Sequence, residues 1–88
     1  EIVMETRVAL ISMIVQDQES ALEINALLHA YRQYIIGRMG IPYAPKKISI
    51  ISIAIDAPQD IISALSGKLG ALRGVSAKTV YSKVEGAN

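Results

Sequence analysis

The chain has 88 residues, room for one hydrophobic core and not for two. Hydrophobic residues make up 51% and charged residues 19%, a balance that excludes an intrinsically disordered chain. A net charge of +1 excludes a nucleic-acid surface made by bulk charge, and the absence of cysteine excludes disulfides, thiolate metal clusters and a cysteine nucleophile.

The first element is Arg7–Val15, RVALISMIV, nearly all apolar and rich in branched side chains; it reads as a strand buried on both faces. Asp17 is placed to cap a helix from about Glu19 to Gln33, in which Ala21, Ile24, Leu27, Leu28 and Tyr31 form one apolar stripe. Glu19, Glu23 and Arg32 fall off that stripe and are expected in solvent. A second strand, Tyr34–Ile41, is interrupted by Gly37 and Gly40, which point to a bulge or bend, and Pro42 is expected to end it. Pro42–Lys47 reads as a loop.

Ile48–Ile55, ISIISIAI, is a third strand, again apolar on both faces. Asp56 as cap, Pro58 in the first turn and Asp60 close behind predict a second helix, with Ile62, Leu65 and Leu69 inward and Gly70 at its end. Gly67 would let that helix pack closely, and Gly74 marks a turn. Val75–Ser82 then alternates as a half-buried strand, and the residues after Lys83 read as a frayed tail.

The order β-α-β-β-α-β is that of a ferredoxin-like α+β domain, a four-stranded antiparallel sheet with two helices on one face. The expectation is one domain over 1–88, with an ordered core of about 6–83. In that arrangement the first and third strands are central, and these are the two that are apolar on both faces. The sheet face away from the helices would therefore be hydrophobic too, which soluble monomers rarely tolerate. A homo-oligomer is expected, a dimer or tetramer joined through the sheet face or a sheet edge. Alternation alone leaves open which of the two residue sets faces a partner.

Chemistry-bearing residues are few. In a ligand-binding reading, Gly37 and Gly40 open a shallow pocket in which Arg38 meets an anion, with Asn25 and Asp17 as further candidates. The simpler reading gives those glycines to backbone geometry and the charges to solvent. His29 stands alone, and a first-row metal site needs three or four strong donors, so no metal or other cofactor is expected. No nucleophile–base–acid arrangement is recognisable, and the carboxylates sit at helix starts, so the chain does not read as an enzyme. No apolar run approaches the roughly 20 residues of a membrane-spanning helix, and Glu1–Arg7 lacks the character of a signal peptide. A cytoplasmic protein without a membrane partner is expected.

YIIGRMGIPY and GKLGALRGV, together with ALEINALLHAYRQ and VSAKTVYSK, resemble the iron-only hydrogenase system regulators over roughly Arg7 to Lys83. The resemblance implies a stand-alone ACT-like domain, similar in fold to the ligand-binding half of the nickel-responsive repressor. It also implies an oligomeric regulatory or sensor role, acting through a small ligand or a protein partner. Two departures bear on mechanism. That repressor's sensor half holds nickel with several histidines and a cysteine, where this chain has only His29. Too few residues precede Arg7 for its ribbon-helix-helix arm, so direct nucleic-acid binding is not expected. The turn where classical ACT domains hold an amino acid is here Gln16-Asp17-Gln18, without a glycine to let backbone amides close on a carboxylate. The alternative role is a structural or assembly subunit without a ligand.

Overall fold

The computed structural model describes residues 5–83, so the expected tail after Lys83 lies outside the described residues. The elements are β1 (Arg7–Val15), α1 (Ala21–Ala30), β2 (Ile35–Tyr43), β3 (Ile48–Ala57), α2 (Gln59–Gly70) and β4 (Val75–Tyr81). All pairings are antiparallel and the strand order is β2-β3-β1-β4, which puts the two doubly apolar strands in the centre.

Register resolves the two faces. Ala9, Ile11, Met13 and Val15 of β1 and Ile53, Ile55 and Ala57 of β3 lie beneath the helices, all at 2% exposure or less. Ile24 and Leu28 of α1 and Ile62, Leu65 and Leu69 of α2 complete that core. Val8, Leu10, Ser12 and Ile14 point the other way, opposite Asp56, Ala54, Ser52 and Ile50.

Several boundaries depart from the sequence pattern. Asp17 caps a short 3-10 turn, Gln18–Ser20, its carboxylate accepting from the Glu19 amide at 2.9 Å, before α1 begins. A second 3-10 turn, Arg32–Tyr34, leads into β2. Pro42 does not end β2, which continues to Tyr43; on an edge strand a missing N–H need not break the ladder. A 3-10 turn, Ala44–Lys46, and Lys47 in the left-handed region (φ 55°) then reverse the chain. Asp56 is no cap: it stays in β3 opposite Val8, and Pro58 is the residue before α2, with no side-chain cap. Two added ladder pairs, Asp56 with Val8 and Ala57 with Arg7, hold this segment extended.

β2 carries a bulge. Ile35 faces Ile55 and Gly37 faces Ala54, so Ile36 is one residue too many. Without it, odd-numbered residues would share one face along the whole strand. With it, Ile35 is on the helix side while Met39, Ile41 and Tyr43 are on the open side, and Arg38, Gly40 and Pro42 turn towards the helices.

Of the glycines, Gly74 has the strict conformational demand. It has φ +70°, and a Cβ there would lie 2.6 Å from the Asp17 Cβ and 2.8 Å from its backbone nitrogen. The Gly74 carbonyl accepts from the Gln16 amide at 2.7 Å, and the buried Ser20 hydroxyl donates to the Arg73 carbonyl at 2.6 Å. The β1–α1 and α2–β4 connections are thereby locked together. Gly67, by contrast, has nothing within 4 Å of an added Cβ, so it does not serve close packing. Gly74→Ala should cost about 2 kcal/mol, from left-handed strain plus the clash with Asp17. Gly67→Ala should stabilise by about 0.5–1 kcal/mol, because only helix propensity changes. Urea denaturation of both variants checks the pair.

Candidate functional site

Two surfaces stand out, a groove on the helix side of β2 and the open face of the sheet. The groove exists because β2 offers α1 little to pack on. Its helix-side residues after the bulge are Arg38, Gly40 and Pro42, and an added Cβ at Gly40 would meet nothing within 4 Å. A hollow of about 350 Å³ results, lined by Asn25, Leu28, His29, Arg32, Ile35 and Arg38. A smaller one of about 140 Å³ adjoins it, also bordered by Asn25 and Arg38 and reaching Gln18 and Ser49.

Arg38 reaches across to α1, where its Nη2 donates to Asn25 Oδ1 at 3.4 Å, the long end of hydrogen-bond range. Arg32 is held at the other end of the groove, its Nη1 donating to the His29 carbonyl at 2.9 Å. Among the described residues neither guanidinium has an acidic partner within ion-pair distance. The groove is therefore cationic, with an aliphatic floor from Leu28 and Ile35.

Of the sequence candidates, Asn25 and Arg38 line both hollows, while Gly40 shares the helix-side face of β2 with Arg38 but lines neither. Gly37 lies on the opposite sheet face, across from Ala54. Asp17 follows β1 next to Gln18 but lines neither hollow, and is engaged by the Glu19 amide and by Arg73 Nε at 3.2 Å. Pattern reading missed Arg32 as a groove residue, since off the apolar stripe it looks like any solvated side chain. His29 lines the groove with no second imidazole or carboxylate beside it, and among the described residues no three His, Asp or Glu side chains converge.

The open face is built from all four strands. Val8, Leu10, Ile14, Met39, Ile41, Tyr43 and Val80 each keep 45–62% of their surface exposed. Half-buried Ile48 and Ile50 fill the space between them. At its centre the hydroxyls of Ser12 and Ser52 pair at 3.1 Å. Among the described residues, the strand positions of this face carry two charges, Asp56 on β3 and Lys78 on β4. No helix of the described residues is long and apolar enough to cross a membrane.

Strand order, antiparallel pairing and two helices on one face define a ferredoxin-like α+β domain of the ACT-like kind. Residues 7–79 match the TM1266-like family, described as "Iron-only hydrogenase system regulator, putative", and the chain belongs to that family. It is also similar to the solved structure of the uncharacterized protein TM1266 from Thermotoga maritima. The two are 39% identical, with a TM-score of 0.85 over 90% of this chain and 100% of that one. No curated protein matches the chain.

A lone imidazole is a poor site for a first-row metal. Calorimetric titration with nickel or zinc should show no tight one-to-one binding. A submicromolar site abolished by His29→Ala would contradict this.

Proposed function

We propose that this chain is a non-catalytic regulatory domain of the cytoplasm, that it assembles with a second copy of itself through the open sheet face, and that it responds to a small ligand or protein partner. The carrying observation is the open face itself. Seven large apolar side chains are half exposed on one contiguous surface, an arrangement soluble monomers rarely tolerate.

The occupant is argued from size and charge. Four strands at about 4.8 Å spacing, each about 25 Å long, give a face of about 19 by 25 Å. With the relief of its side chains this nears the roughly 600 Å² per partner at the lower end of stable interfaces. One acidic and one basic residue leave the face without net charge to oppose its own copy. A two-fold contact then places like surface on like surface, which a predominantly apolar layer satisfies. The Ser12–Ser52 hydrogen bond uses one of the two hydroxyl protons within the sheet, which leaves one donor at the centre of the face to be met across the contact.

The regulatory half of the reading is supported by the family's description and by the cationic groove.

Sedimentation tests the assembly. The wild type should sediment as a dimer or larger at micromolar concentration. Ile50→Lys, on the open face between Ile14 and Ile41, should give a folded monomer, since an ion buried there lacks a partner and costs several kcal/mol. Ile53→Lys, fully buried beneath the helices, should abolish folding. A monomeric wild type would refute the proposal.

A further inference from the structure

We propose that the groove between α1 and β2 is a receptor for a small organic carboxylate, gripped by Arg38 and Arg32 and laid against Leu28 and Ile35. This rests on the reading of the chain as a ligand-responsive domain, and is separate from how the domain assembles.

The first argument is unused donor capacity. A guanidinium carries five N–H donors. Among the described contacts, Arg38 gives one to Asn25 and Arg32 gives one to the His29 carbonyl. Each of these bonds holds a guanidinium at the groove while leaving the rest of its donor fork open. An open fork suits a carboxylate, which accepts two parallel hydrogen bonds from it.

The second argument is sign. The groove's titratable lining is Arg32, Arg38 and His29, with no acid among them. The described ion pair, Arg73 with Asp17, lies outside the lining of this hollow. Arg73 carries the same charge as the groove arginines but faces Asp17 and does not line the hollow.

The third argument is shape and surface. About 350 Å³ is at the small end of the range for ligand sites, and Leu28 and Ile35 supply an apolar floor. A bare inorganic anion would leave that floor uncovered, whereas a carboxylate with a short apolar body covers it and meets the guanidiniums at once. The bulge at Ile36 gives the geometry its cause, because it turns Arg38 to the helix side of β2.

Backbone amide NMR of the full chain is the test, with sodium benzoate and sodium succinate as carboxylate probes, benzamide as the neutral counterpart of benzoate, and inorganic phosphate as the oxyanion without an apolar body. At least one carboxylate should saturate shifts at Asn25, His29, Arg32, Ile35 and Arg38 in about the millimolar range. Benzamide and phosphate should bind at least about tenfold more weakly, the scale of one charge-assisted hydrogen bond. Arg38→Gln and Arg32→Gln, both at exposed positions, should each weaken the carboxylate about tenfold, while Arg73→Gln should leave it unchanged.

Four results would overturn the proposal: no saturable shift from either carboxylate, equal binding of benzamide, equal binding of phosphate, or an equal loss in Arg73→Gln that points to bulk charge. Sedimentation keeps the two proposals apart. A monomer that binds benzoate at Arg38 refutes the assembly alone, and a dimer that binds neither carboxylate refutes the receptor alone.

Discussion

A single extra residue, Ile36, determines what each face of the sheet presents. A strand's side chains alternate with a period of two, so inserting one unpaired residue reverses the facing of everything after it. Ile35 stays against the core opposite Ile55. Beyond the bulge, Met39, Ile41 and Tyr43 pass to the open face, and Arg38, Gly40 and Pro42 pass to the helix side. The same displacement enlarges the apolar layer on one side and empties a cationic groove on the other. Without it Arg38 would stand in the middle of the aliphatic face, and the three apolar residues would fill the space beside α1.

The rest of the scaffold holds that edge strand in place. β1 and β3 supply a core with almost no accessible surface, and both helices lie across it. The turn after β1 is tied to the α2–β4 connection by the chain's own contacts. Gly74 abuts Asp17, Ser20 bonds to the Arg73 carbonyl, and Gln16 bonds to the Gly74 carbonyl. The hollow of about 350 Å³ lies along α1 and β2, where the edge strand carries little apolar bulk, and the smaller one beside it reaches Gln18 in that turn.

The order of elements was legible in the sequence because runs such as RVALISMIV and ISIISIAI have no helical period and differ from the edge strands in composition. Which set of side chains faced the helices was not legible, because both sets are aliphatic and only register separates them. Asp56 and Pro58 together looked like a helix start; pairing of Asp56 and Ala57 with Val8 and Arg7 outweighed the local capping preference. Gly37 and Gly40, three residues apart, are bound to face opposite ways, but their spacing could not show that the bulge falls between Ile35 and Gly37, which decides the face each one takes. Arg38 and Asn25 were recognisable as candidates by residue type. Arg32 was not, since its place in the groove depends on a 3-10 turn after α1 that no periodicity announces.

The irregularity of β2 has a consequence for how copies of this chain can stick together. A regular edge strand is a template on which another strand can grow a continuous hydrogen-bonded ladder, the first step towards aggregation. Here that edge is broken near its start by the bulge at Ile36 and near its end by Pro42, which has no amide proton to offer. Only a short stretch between them could template an incoming strand. The β2 edge is thus interrupted at both ends, whereas β4, the sheet's other edge, pairs regularly over Val75–Tyr81 and has no such interruption.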